Sequence, residues 1–446
     1  MSHSTARLAA AAGPTAGASP VSGRLWRWIP TLYLAEGIPY SIVVSASVVF
    51  YKSLGLSNAR IALYTSWLSL PWVLKPLWSP VVDILKTRRL WIWLMEFVIG
   101  AGFAAIALTV PGEGFLRYSL LFFCLLAFSS ATHDIAADGF YILATTEAEQ
   151  SFFSGIRNTF FRVAKICGQG LLVMLAGKIQ QQTGRTALAW QVAFGLAAVF
   201  FLLLATYHRF ILPRPWSDRP GSPDSAGRFL RECFGTFGGF FLKPKIVPLL
   251  LFLLFYRFGE AQLDKMVQPF LLDARHAGGL GLTMKQVGFV YNTLGILMLI
   301  LGGVVGGVLV SRHGLRAWLW PMVFIMHLPD AVFIYLSCAQ PEGLPLIGAG
   351  IALEQFGYGF GFTAYMLYMI YIARGRHQTA HYAMCTGFMA LGLMVPGMWS
   401  GALQEAIGYR HFFAWVLLAT VPGFVVAALI PLEADFGKKG READRA

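Results

Sequence analysis

Charge is what this chain has least of. Asp, Glu, Lys and Arg make up 13% of its 446 residues, against roughly 25% in soluble domains. Polar sequence long enough to form a soluble domain is absent between Trp26 and about Pro431. The five cysteines, Cys124, Cys167, Cys233, Cys338 and Cys385, are dispersed and form no CxxC. That pattern argues against a disulfide framework or a zinc site, and reads as small packing residues. No HExxH, no P-loop and no GxSxG in a strand–turn–helix setting is present, so neither a familiar hydrolase nor an ATP-driven pump is indicated. No enzyme activity, cofactor or metal is therefore expected. A membrane acyltransferase would need a catalytic constellation, and none is visible. The Leu8–Ala12 run is too short and too interrupted for a signal-peptide core.

Apolar sequence is what is present. Hydrophobic residues are 57% of the chain, and mean hydropathy is +0.61. A helical crossing of a bilayer needs roughly 20 mostly apolar residues. Such runs follow one another here, giving twelve predicted helices at 26–52, 58–84, 89–110, 115–144, 151–183, 188–212, 245–273, 283–311, 316–338, 343–373, 379–407 and 410–431. The expected fold is thus an all-α integral membrane protein of two six-helix bundles. Residues 1–22 read as a disordered cytoplasmic tail, 23–212 as the N-terminal bundle, 213–244 as a cytoplasmic linker, 245–431 as the C-terminal bundle and 432–446 as a second tail. Glycine, at 47 residues, suits close helix packing in lipid. The net charge of +13 does not point to nucleic acid. Its densest stretch is the central loop, with Arg209, Arg214, Arg219, Arg228, Arg231, Lys243 and Lys245, and further clusters follow helices two and ten. That is the positive-inside bias of a multi-pass protein with both termini cytoplasmic.

The halves echo each other. Glu36 in helix one is followed by Gly55-Leu56-Ser57, and Glu260 in helix seven by Gly281-Leu282-Thr283, at nearly the same spacing. Ser57 and Thr283 stand where a helix N-cap is wanted. After helix eight comes Gly307-Val308-Leu309-Val310-Ser311-Arg312-His313-Gly314-Leu315-Arg316. It resembles the loop signature G-x-x-x-D-R-x-G-x-R of the major facilitator superfamily, with Ser311 in the Asp position. After helix two, Asp83 with Arg88 and Arg89 keeps the acid and the basic pair but loses both glycines. Asp83, Arg88, Arg89, Arg312, Gly314 and Arg316 are therefore the candidate gating loops. Paired halves around a midplane site are the arrangement of alternating-access carriers.

A central ionisable side chain costs at least about 2.5–3.5 kcal/mol on insertion scales, so such residues normally have a task. Helix four carries Asp134 and Asp138 on one face, beside His133. Two close carboxylates favour holding a proton between them. The alternative is a purely structural role, paired with Arg157, Arg162 and Lys165 of helix five, which fall within about 140° of arc. In helix seven, Arg257, Glu260 and Asp264 span about 60°, either as an internally neutralised ladder or as the lining of a polar cavity. Glu36 stands alone before Gly37 and Pro39, a proton-carrier candidate unless Lys75 pairs with it. Glu96, Asp330 and Glu354 add polar points. Tyr358, Tyr365, Tyr368 and Tyr371 recur on helix ten. They read mainly as packing or interfacial residues, with stacking on a sugar or aromatic ligand as the other use. A mere scaffold would not need so many buried charges.

Three segments carry a closer resemblance. Pro71-Trp72-Val73-Leu74-Lys75-Pro76-Leu77-Trp78-Ser79-Pro80-Val81-Val82-Asp83 resembles the helix-two signature of AmpG-type permeases. Ala131-Thr132-His133-Asp134-Ile135-Ala136-Ala137-Asp138-Gly139-Phe140 resembles their helix-four signature, and Glu36-Gly37-Ile38-Pro39 their helix-one turn. His133 and Glu36 stand where that family commonly has Gln, and many of its members have two further helices. The resemblance implies a proton-coupled importer of anhydromuropeptides in a bacterial inner membrane; a monomer is expected, with a small-molecule solute, protons and the lipid bilayer as its partners. A permease for a ferric siderophore or another anionic small molecule is the alternative within the same fold. Under either reading Glu36, Asp134, Asp138 and Glu260 are the proton-coupling candidates. Lys75, His133, Arg157, Arg162, Lys165, Arg257, Asp264, Glu354 and Tyr358 are the substrate-binding candidates.

Overall fold

The computed structural model describes residues 23–112, 114–145, 147–216, 218–219, 227, 238–374, 378–433 and 436–437. Helices account for all the regular structure among them. In lipid every backbone N–H and C=O must be satisfied within the segment, which leaves the helix as the local solution for such apolar runs. Helix one is Leu25–Ser53, helix three Arg88–Thr109, helix four Phe115–Ala144, helix six Thr186–Ile211, helix seven Ile246–Leu272, helix eight Met284–His313, helix nine Leu315–Ala339 and helix ten Leu344–Ala373. Helix two covers 58–85, helix five 147–183, helix eleven 378–407 and helix twelve 409–429. Most ends lie within a residue or two of the predicted ones. Nine helices among the described residues are long and apolar enough to cross a membrane, and one of these is helices eleven and twelve run together. Helices two and ten complete the twelve.

Local sequence sets the ends and the breaks. Ser57 accepts from Arg60 N at 3.5 Å, and Thr283 forms a capping box with Gln286, so both predicted caps are in place. Gly55 and Gly281 precede them at φ 86° and 66°, a region only glycine enters without strain. Helix two is interrupted after Trp67 and restarts at Leu70, with Pro71 in its first turn. Helix nine passes through a 3₁₀ turn at Leu328–Asp330. Helices one, five and eight each widen by a π turn, at Ile42–Ala46, Ile166–Leu171 and Val290–Gly295. Such turns are frequent at functional sites.

Aromatic side chains fill both halves. Phe50 packs edge to face on Phe123 and Trp190, and Phe123 on Phe194, in the first; in the second, Tyr365 stacks on Phe252 and Tyr256 while Tyr368 meets Phe252 edge to face. Tyr365 and Tyr368 are fully buried and donate to Leu253 O at 2.6 Å and Pro431 O at 3.2 Å, which makes them packing residues. The outward faces carry Leu108, Leu121, Leu203, Leu301 and Leu353, all large and exposed, as a lipid-facing surface requires. In the linker, Asp218 caps helix three, accepting from Arg88 N at 2.8 Å and Arg89 N at 3.1 Å.

The halves meet most tightly on the face away from the chain termini. There Lys52 binds Asp273 at 2.6 Å. Asn58 donates to Gln404 Oε1 at 2.5 Å, and its amide also lies 2.8 Å from the Tyr409 hydroxyl. Tyr409 donates to Asp273 at 2.6 Å. Backbones touch on this face: a Cβ on Gly401 would lie 2.0 Å from Asn58 O, and one on Gly177 2.4 Å from Lys285 N. Towards the other face, helices two and eleven leave an apolar groove lined by Val73, Leu77, Met384, Phe388 and Leu391.

Candidate functional site

Gly37 brings helix one against helix five: a Cβ there would meet Ala164 Cβ at 2.7 Å and Phe161 O at 2.8 Å. This close approach places Glu36 among the charged groups of helices two, four and five. Lys75 Nζ donates to Asp134 Oδ2 at 2.5 Å. Arg157 Nη2 donates to Asp138 Oδ1 at 2.6 Å, where the Tyr33 hydroxyl also donates at 3.3 Å. The Arg157 guanidinium lies over the Tyr33 and Tyr141 rings, 4.6 and 5.0 Å from their centroids. One oxygen each from Glu36, Asp134 and Asp138 falls within 4.8 Å of the others. Lys75 thus pairs with Asp134 and not with Glu36, whose Oε2 is buried with no hydrogen-bond partner among the described residues. Fully ionised, these five residues carry three negative charges and two positive ones.

One helical turn further on, Tyr40 opens onto a cavity between the halves. Tyr40, Val44, Ser69 and Trp72 line it from one side, and Ala261, Asp264, Lys265, Ala390, Leu393 and Met394 from the other. Its volume is about 60 Å³, room for a few waters. Lys165 Nζ lies 5.7 Å from the Tyr40 ring centroid, and Lys265 reaches across to Thr65 at 3.4 Å. Asp264 and both lysines are close enough to act on one another electrostatically. Arg257 donates to the Tyr358 hydroxyl and lies 4.7 Å from the Phe362 ring centroid. Arg162 has Nη1 buried and unpartnered among the described residues.

Not every predicted residue reaches this place. His133 is sealed, with Nε2 at 3.1 Å from Glu96 Oε1. Glu96 also meets His208 Nδ1 at 2.6 Å, and His208 Nε2 meets Thr31 at 2.9 Å. In this structure His133 serves that internal network and not the cavity. Glu260 and Glu354 turn away from the cavity into the C-terminal half, where they join Asp330. Of the ladder expected from Arg257, Glu260 and Asp264, Asp264 lines the cavity and Glu260 joins Asp330 and Glu354, while both acids stay within electrostatic reach of Arg257 and of each other. Arg88 lies against Gly139 of helix four. Arg89 donates to Leu212 O at 3.1 Å. Arg312 and Arg316 are exposed, while Gly314 takes φ 86°. The Asp83 side chain lies outside the described residues.

Sequence reasoning missed Lys52, Asn58, Asp273, Gln404 and Tyr409, which close the far face. Their one signal was position, since Lys52 and Asp273 end the equivalent first helices of the two halves.

The sequence model of the Major Facilitator Superfamily matches residues 31–328. The chain belongs to the major facilitator superfamily. Among relatives, the putative transporter AmpG 4 of Rickettsia conorii is 24% identical over 405 residues, covering 89% of this chain and 94% of that one. The anhydromuropeptide permease of Escherichia coli K12 is 24% identical over 406 residues, covering 89% and 77%. Solved structures share the fold. A bacterial homolog of the human lysosomal transporter Spinster, inward-facing and unoccupied, gives TM-score 0.64 at 16% identity over 93% and 96% of the chains. The D-xylose–proton symporter gives 0.62 at 11% over 93% and 98%. This superfamily member is accordingly a multi-pass, AmpG-like permease for a small-molecule solute, and not an enzyme.

Proposed function

We propose that this permease imports anhydromuropeptide-type cell-wall fragments together with protons, as a monomer in a bacterial inner membrane with both termini cytoplasmic. The observation that carries the reading is the cluster of Glu36, Lys75, Asp134, Asp138 and Arg157. It falls one positive charge short of neutrality, and among the described residues Glu36 is the member without a hydrogen-bond partner. An excess charge in a half-buried cluster within the membrane-spanning part is costly, so one proton on Glu36 would balance the cluster. That proton would leave when the cluster meets the aqueous phase on the other side. The cargo's carboxylates would be met at the cavity by Lys165, Lys265, Arg162 and Arg257, where exclusion of water strengthens the pairing. Tyr358 would serve by fixing Arg257, and His133 only by holding helix four against helix three. The loops bearing Arg88, Arg89, Arg312 and Arg316 would act as the gate on the terminal side. The E. coli relative, an anhydromuropeptide permease, supports the choice of cargo.

The test is uptake of labelled anhydromuropeptide into proteoliposomes under an imposed pH gradient. Uptake should collapse with a protonophore and in Glu36→Gln. Uptake indifferent to the protonophore would remove proton coupling. Because the same cations suit any anionic solute, a ferric siderophore belongs in the same assay, and transport of it alone would replace the cargo.

A further inference from the structure

The N- and C-terminal halves treat their buried acids differently. In the N-terminal half, Glu96 is fully buried and lies within hydrogen-bonding distance of two histidines. In the C-terminal half, Glu260 of helix seven, Asp330 of helix nine and Glu354 of helix ten bring one oxygen each to within 4.8 Å of the others. Their exposures are 2%, 1% and 1%. Among the described residues, both Asp330 oxygens and Glu260 Oε2 have no hydrogen-bond partner. Glu354 receives the amide of its neighbour Gln355 at 3.0 and 3.3 Å.

A separate group points at this cage. His327, 1% exposed, directs Nδ1 at Asp330 Oδ2 from 4.0 Å, too far for a hydrogen bond. Neither of its ring nitrogens makes one of acceptable geometry among the described residues. The cage also stands at two helix breaks. Helix seven leaves helical geometry at Arg257 and resumes at Phe258, and helix nine breaks at Leu328–Asp330. Irregular backbone at membrane depth is tolerated where it lines a polar site.

The surrounding groups do not neutralise it. Arg257 and Asp264 act on Glu260 from its own helix. Tyr291 of helix eight faces Glu260, Glu354 and Asp264. Tyr256 of helix seven lies beside His327, and Tyr358 of helix ten receives Arg257. Asp264 has Lys165 and Lys265 at the cavity. Three carboxylates against Arg257 leave two negative charges in a sealed interior, which is far costlier than binding cations there.

We propose that this cage is a second cation site of the protein, and that its ligands are two exchangeable protons shared by Glu260, Asp330 and Glu354, with His327 as the adjoining acceptor. Uptake converts two carboxylates to carboxylic acids, with the protons drawn from water. The site is built wholly within the C-terminal half and stands whether or not Glu36 carries a proton. An all-oxygen donor set also suits a hard metal ion, so the experiment separates the two sources of charge.

Infrared difference spectra of the purified full-length protein between alkaline and acidic buffer should show the C=O stretch of protonated carboxyls. Asp330→Asn should remove one carboxyl's share of that band, and the residual band should shift in D₂O. Asp134→Asn should remove a different component. Glu354→Gln gives the same readout if Asp330→Asn does not fold. A band unchanged in both cage variants overturns the proposal, as does one that fails to exchange in D₂O. At fixed pH, saturable bleaching of the cage component by Na⁺, K⁺, Mg²⁺ or Ca²⁺ would make it a metal site and overturn the proton assignment.

Discussion

Asp273→Ala should loosen the closure on the face away from the termini. Asp273 accepts from Lys52 at 2.6 Å, Tyr409 at 2.6 Å and Asn58 at 3.3 Å. The Lys52 and Asn58 contacts cross between the halves, so they exist only while this face is shut. A hydrogen bond to a charged group contributes about 1.5–3 kcal/mol. The contacts share one carboxylate and do not add, and partial exposure of 13% for Lys52 and 21% for Asp273 screens the ion pair. A differential loss of about 2 kcal/mol follows, roughly a 30-fold shift toward the state open on this face. The reporter is Ser66→Cys in a background without the native cysteines. Ser66 is fully buried and faces Gly397 of helix eleven. A membrane-impermeant maleimide added to the face away from the termini should label it roughly 30-fold faster in Asp273→Ala. Unchanged labelling with an unchanged melting temperature would refute the claim that these bonds hold the face closed.

Gly401→Ala should act on the same equilibrium by steric means. Its Cβ would lie 2.0 Å from Asn58 O, so Ser66→Cys labelling should accelerate and uptake should fall by about tenfold or more while the protein still folds. Lys75→Met leaves Asp134 without its cation. The expected loss is about 2 kcal/mol after allowance for 28% exposure of Lys75, read as a lower melting temperature that Lys75→Met with Asp134→Leu largely restores. Glu96→Leu leaves His133 Nε2 and His208 Nδ1 without their partner and should lower stability by about 2–3 kcal/mol. Uptake per folded molecule should survive, because this network is sealed from the cavity; a selective loss of uptake would contradict that reading.

Helix positions were legible because the bilayer fixes their length, and the caps at Ser57 and Thr283 because their chemistry is local. Glu36, Lys75, Asp134, Asp138 and Arg157, which meet in one cluster, were each singled out by the sequence too, since charge at such depth is expensive. Which acid met which base was not. Lys75 had only Glu36 in prospect and Asp134 only the cations of helix five, yet the crossing of helices two and four paired Lys75 with Asp134. Helical arc placed Glu260 beside Asp264, yet arc says nothing of what lies opposite. Asp330 is 70 residues from Glu260 in the chain, and no periodicity pairs helices that far apart. His133 stood inside the most family-like segment, and its neighbours Glu96 and His208, on helices three and six, were visible only in three dimensions.

The two sides of the molecule are held by different forces. One side is fastened by Lys52, Asp273 and hydrogen-bonded amides, while the opposite groove between helices two and eleven is hydrocarbon. Ionic strength weakens the first kind of contact and leaves the second untouched or stronger. The resting orientation of the carrier is therefore a property of its medium as well as of its sequence: brine should tilt it one way and dilute buffer the other, with no ligand present.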